Sequence, residues 1–166
     1  MIETFQQYTD RLLSLSAGAD PFAVLGSTAA TIAARIAGRS SEELRRAPSP
    51  SQWSVAQIVA HLADSEIVFA YRLRMTLAAP GTPLQAYDQD AWSRAQHAET
   101  SDPHLSLALF TAIRESTVRL LRSLNAEELE RYGMHAERGK ETVRHLLALY
   151  AGHDRNHLAQ IERLLT

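Results

Sequence analysis

Apolar residues along this chain recur mainly at steps of three and four, the period of helices with one buried face. Residues 3–16 give a short amphipathic helix that ends before Gly18. A second helix is predicted over about 20–37, with Asp20 placed to cap its first N–H groups and Pro21 suited to the first helical position. Phe22, Leu25, Ala29, Ile32 and Ile36 share one of its faces. Pro48 and Pro50 allow only a short helical turn, at 41–46, before the next long element.

That element covers 54–78, where Ser54 and Gln57 form a capping-box pair. Val55, Ile58, Val59, Leu62, Ile67 and Leu73 mark its apolar side. Residues 79–102 break the pattern, apart from a short helix near 88–95. A further long helix is expected over about 103–123, with Leu105, Leu109, Ile113, Leu120 and Leu124 as its apolar marks. The stretch around 125–141 reads as irregular, and the last helix starts near Thr142 and runs to the end. No clear alternating run announces a strand.

Four long helices predict an all-α fold, a four-helix bundle with its core over about 20–165 and a short preceding helix, together one domain over 1–166. The 79–102 connection is long enough to run the length of a bundle. It lets the helices it joins lie parallel.

Charge and composition narrow the function. A net charge of −2 argues against a broad electrostatic nucleic-acid binder. No run approaches the roughly 20 apolar residues of a membrane span. Glu3, Gln6 and Gln7 stand where the apolar core of a secretion signal would sit, so the expected location is cytoplasmic, with no membrane partner. With no cysteine, the chain has no disulfide, no zinc–thiolate site and no cysteine nucleophile. A metal must be held by His, Asp or Glu, and thiol chemistry needs a thiol from outside.

The histidines carry the sharpest signal. His153 and His157 stand four residues apart on the last helix, close enough to reach one divalent ion. The pair alone is equally read as polar residues of a long helix. However, Leu146, Tyr150, Ile161 and Leu164 continue the same stripe, so both imidazoles face the apolar side. His61 lies on the apolar side of the 54–78 helix, beside Val55, Ile58 and Leu62. Three histidines from facing helices would leave coordination positions open for water and substrate. Asp64 follows His61 by three residues and reads either as an orienting carboxylate or as a solvated charge. Glu66 falls off that face, and Asp154 and Arg155 are expected to turn toward solvent or neighbours. His135 reads as a loop residue that could overhang the bundle end. Asp64 and His135 are the catalytic candidates. His97, His104 and His145 read as surface or capping residues.

"QWSVAQIVAHLADSE" resembles the histidine-bearing helix of the DinB / YfiT-like superfamily, and "LLALYAGHDRNHLAQIERL" is similar to that family's closing His-x-x-x-His helix. The linker "YDQDAWSRAQH" also resembles the family's crossover. The resemblance covers about residues 20–165. It implies a bundle of up-down-down-up connectivity and a divalent metal (nickel, zinc, iron or manganese) held by His61, His153 and His157. Asn156 departs from close YfiT-like members, which often carry a further histidine there.

Branches of the family resemble S-transferases using low-molecular-weight thiols, maleylpyruvate isomerases or metal-dependent hydrolases. A metal with open sites would lower the pKa of a bound thiol or water. The expected partners are therefore a small-molecule substrate, such as such a thiol, and a second copy of the chain through the apolar face of the 3–16 helix. Tyr87 and Asp88 are candidates to line the entrance and contact substrate. Two other readings stand beside the enzyme: a binding or stress-response module with a non-catalytic metal, and a packed bundle whose core histidines are simply hydrogen-bonded.

Overall fold

The computed structural model describes residues 4–166. Helix α1 spans Phe5–Ser16, α2 Pro21–Ile36, α3 Ser41–Arg45 and α4 Val55–Ala78. In the crossover, strand β1 (Pro83–Leu84) and α5 (Gln89–Ala95) precede a 3-10 turn at Ala98–Thr100. Then follow α6 (Pro103–Arg122), α7 (Ala126–Leu129), β2 (Tyr132–His135), β3 (Gly139–Thr142) and α8 (Val143–Leu165). Residue 3, the expected start of the first helix, lies outside the described residues.

Local chemistry sets the boundaries. Ser54 accepts from the Gln57 N–H, and the Gln57 side chain answers the Ser54 N–H, closing the expected capping box on α4. Asp20 and Asp102 cap α2 and α6, each followed by a proline that fits the first turn. Thr142 caps α8.

Helices α2, α4, α6 and α8 form the bundle. Their directions follow from which residues meet. Thr28 meets Asp154, and Arg39 reaches Leu165, so α2 and α8 run parallel. Phe69 stacks on Tyr150 while His61 meets His157, so α4 and α8 are antiparallel. Arg114 grips Glu66, and Arg74 reaches Ser116, so α4 and α6 are parallel. Phe22 lies under Arg122, and Leu25 meets Arg114, so α2 and α6 are antiparallel. The bundle is up-down-down-up, and the long crossover makes the parallel α4–α6 pair possible.

Three expectations are corrected. The 125–141 stretch is not irregular: β2 and β3 pair antiparallel, and β1 from the crossover adds parallel to β2, with Leu84 opposite His135. Gly133 permits this, because a Cβ there would lie 2.5 Å from the Leu84 side chain. The strands are too short, at two to four residues, to leave a period in the sequence. Two apolar marks of α6 were misplaced: Leu105 and Leu109 are exposed, Leu120 and Leu124 pack partly buried against the core, and the fully buried face is Phe110, Arg114, Thr117 and Leu121. The inward face of α1 packs against α8, where a Cβ on Gly152 would lie 1.9 Å from the Leu12 carbonyl oxygen. Leu12 is buried there, so that face is not free to bind a second copy.

The core has two apolar clusters. One gathers Ile32, Ile36, Ile58, Phe110 and Ile161, the other Leu25, Phe69, Leu73, Leu121 and Leu146. Between them lies a polar layer in which every bundle helix takes part. Arg114 donates to Glu66 Oε2, to both carboxylate oxygens of Asp154 and to the Leu25 carbonyl. Thr28 donates to Asp154 as well. All five guanidinium N–H donors are thereby used.

Candidate metal centre

Helix α4 brings His61 and α8 brings His153 and His157 to one point. His153 Nε2 lies 3.1 Å from His61 Nε2 and 3.1 Å from His157 Nε2. All three side chains are buried, and they form the one group of metal-ligating side chains found among the described residues. Trp53, at the residue before the α4 cap, packs its ring 5.1 Å from that of His61.

Hydrogen bonding alone cannot account for this triangle. A neutral imidazole Nε2 carries either one hydrogen or one lone pair, so His153 Nε2 can satisfy only one of its two neighbours. A shared cation satisfies three lone pairs together. Two imidazole nitrogens on one tetrahedral zinc are about 3.3 Å apart, given bonds of about 2.05 Å. The separations here match that. The His157 Nδ1–H donates to Gln160 Oε1 at 2.7 Å, which directs the Nε2 lone pair into the triangle. Burial and the neighbouring His157 hold the pKa of His61 down to about 3, burial holds His157 at about 4, and burial with both neighbouring imidazoles holds His153 well below its ordinary value. All three rings are neutral at pH 7, the form that ligates a metal.

The triangle sits beside a cavity of about 600 Å³, which His153 helps to line. Its walls come from separate parts of the chain: Phe5 and Tyr8 from α1, Ser65 and Arg72 from α4, Tyr87 and Asp88 from the crossover, His135 and Arg138 from the hairpin, and Tyr150 from α8. The small sheet explains the arrangement, since it ties crossover to hairpin and so delivers both to the same cavity.

The sequence candidates fall out differently. Tyr87 and Asp88 both line the cavity, but the Asp88 carboxylate caps α5 by accepting from the N–H groups of Asp90 and Ala91. Asp64 accepts from Gln96 of the crossover and is not one of the converging donors. His135 is not an overhanging loop residue: it ends β2, is 3% exposed, and accepts from the Glu137 N–H through Nδ1. Desolvation and Arg138 lower its pKa to about 4.

Three residues were overlooked. Of the two surroundings expected for Asp154, solvent or neighbours, the structure shows the second: it is fully buried on Arg114, and Glu66 joins it. Both share the polar layer with Arg114, a charged residue inside the apolar stripe of α6, which was the available signal. Arg72 lies eleven residues after His61, about three helical turns, on the same face of α4. A charged residue at that spacing could have been picked out.

Residues 25–161 match the DinB superfamily. The chain belongs to that family. It is 35% identical over 114 residues to YfiT of Bacillus subtilis (strain 168), and 31% identical over 128 residues to OB0782 of Oceanobacillus iheyensis, each named "Putative metal-dependent hydrolase". These alignments cover 68% and 75% of this chain, and span 64% and 72% of the length of those proteins. The fold superposes on that of a solved YfiT structure from Bacillus subtilis with a TM-score of 0.78 at 28% identity, covering 97% of this chain and 87% of that one. That protein is described as "a probable metal-dependent hydrolase with an unusual four-helix bundle topology". No helix among the described residues is long and apolar enough to cross a membrane.

Proposed function

We propose that this DinB-family protein is a divalent-metal-dependent enzyme whose ligands are His61, His153 and His157, acting on a small molecule with a thiol or water as nucleophile. The observation that carries the reading is the convergence of three buried, neutral imidazoles beside a cavity, with His153 Nε2 at 3.1 Å from both His61 Nε2 and His157 Nε2. A divalent ion supplies Lewis acidity there, lowering the pKa of a coordinated thiol or water.

The chain's own residues do the rest. Gln160 fixes the tautomer of His157, and the Trp53 ring packs against that of His61. The buried Arg114–Asp154 pair sets the register of α8, since Asp154 directly follows His153. Tyr87 and Tyr150 help to wall the cavity together with His135.

Transfer of a low-molecular-weight thiol to an electrophile is the favoured reaction. A cavity of about 600 Å³ is large for water alone and falls in the range of small-molecule sites. The chain has no cysteine, so the thiol comes from outside. Hydrolysis is the second reading, favoured by the names of the relatives. Conjugation of low-molecular-weight thiols to monochlorobimane by metal-loaded protein tests the first. Metal- and protein-dependent conjugation, abolished in His153→Ala, is expected. Ester or amide hydrolysis without any thiol conjugation would replace the transferase reading by the hydrolase one.

A further inference from the structure

Two buried arginines of this protein are treated in opposite ways. Arg114 has two carboxylates and a carbonyl for its five N–H donors. Arg72, also buried at 4% exposure, has no carboxylate within ion-pair distance among the described residues. Its Nη2 donates to the Gln85 carbonyl, its Nε is buried without a partner, and its Nη1 has no hydrogen-bond partner among the described residues. Leaving a buried cation so poorly satisfied is costly.

The neighbouring imidazole sharpens the point. His135 Nδ1 accepts from the Glu137 N–H, so the ring hydrogen sits on Nε2. That Nε2 lies 3.4 Å from Arg72 Nη2. Two donors thus face one another with no acceptor between them, in the wall of the cavity that His153 lines. The other charges of that wall do not serve Arg72. Arg138 is bound to Glu141 through two N–H groups, the Asp88 carboxylate is turned to the start of α5, and Glu137 is exposed.

We infer that the cavity takes an anionic ligand whose carboxylate or phosphate group docks on Arg72 and on the Nε2–H of His135. Arg72 is on the face of α4 that carries His61, about three turns away, so a ligand anchored there extends toward the histidine triangle. That this ligand is the substrate rests on the proposed metal-dependent reaction; that an anion binds does not. Arginine suits either oxyanion, since its planar fork pairs with carboxylate and phosphate oxygens alike.

The test is calorimetric titration of chelator-treated, metal-free protein with malonate, with its uncharged counterpart malonamide and with inorganic phosphate. At least one anion is expected to bind, with malonamide at least tenfold weaker than malonate where malonate is the ligand. Arg72→Gln should weaken the anion at least tenfold, and Arg72→Lys should recover part of the loss. Preference between malonate and phosphate names the anion class. Absence of anion binding to the wild type overturns the inference, as does equal binding of the anion by wild type and Arg72→Gln, or, where malonate binds, equal affinity for malonate and malonamide. Zinc stoichiometry measured on the same preparations separates the two readings. Zinc without anion binding sinks only the anion site, and anion binding without zinc sinks only the metal centre.

Discussion

Arg114 Nη1 donates to Asp154 Oδ2 at 2.5 Å in the middle of the bundle, and Asp154 is the residue directly after His153. The structural ion network and the candidate metal centre therefore share one turn of α8. Asp154 faces α2 and α6, whereas His153 and His157 face α4.

Removing one member of this network strands buried charge. Arg114→Met should destabilise the fold by about 3–5 kcal/mol, because Glu66 and Asp154 lose the cation they share. Glu66 already has one oxygen without a partner, and burial raises its pKa. Urea unfolding measures the effect. Adding Glu66→Gln and Asp154→Asn to Arg114→Met should recover a large part of it. Equal stability of Arg114→Met and wild type would refute the role given to this layer.

Gly152 is the contact point between α8 and α1. A methyl group there would meet the Leu12 carbonyl at 1.9 Å, and backbone cannot rotate away as a side chain can. Gly152→Ala should cost about 1–3 kcal/mol as an overpacking change. The loss should be local: amide exchange in 5–16 should speed up more than exchange in α6. Arg11, which donates to Asn156, helps hold the same helix. Unchanged protection of α1 would show that the approach is relieved elsewhere.

The His157–Gln160 hydrogen bond should tune metal affinity without setting it. Gln160→Ala is expected to weaken zinc binding by about 10- to 100-fold, the usual effect of removing a partner of a ligating histidine. His157→Ala should weaken it further. A competition titration with a chromophoric chelator reads both. Identical affinity in Gln160→Ala and wild type would contradict the assigned tautomer.

The metal-free protein should also lose stability in mild acid. His61 and His157 have folded pKa values of about 3 and about 4, below an unfolded value of 6.5. Below pH 6.5 the unfolded chain binds protons that the folded one does not, so stability falls as pH falls. The contribution is complete above 6.5 and fully lost once the pH is below the folded values. Replacing His61 by Leu removes one such group. The urea midpoint should therefore drop less between pH 7.5 and 5.0 in His61→Leu than in wild type. Equal drops would show that burial of His61 does not shift its titration.

Sequence periodicity revealed the bundle because four long helices each repeat their apolar marks for many turns. It revealed the three histidines because they interrupt apolar stripes without breaking the period. The hairpin escaped because Tyr132–His135 offers too few residues for an alternation to stand out, and its inward residues are Gly133 and His135 rather than aliphatic ones. On α6, Leu105 and Leu109 outcompeted Phe110 and Arg114 for the inner face, since hydrophobicity alone cannot anticipate a buried arginine satisfied by carboxylates from two other helices. Glu66 and Asp154 were passed over for the same reason. Asp64 and Asp88 looked like site carboxylates, but Gln96 and the start of α5 engage them, contacts set by the crossover's path.

Zinc titration of chelator-treated protein, followed by calorimetry and by metal analysis of the gel-filtered product, tests the metal centre most directly. One zinc per chain is predicted, with affinity falling at least 100-fold in each of His61→Ala, His153→Ala and His157→Ala while the helical content is kept. Absence of stoichiometric metal in the wild type, or undiminished binding when all three histidines are replaced, would contradict the metal centre.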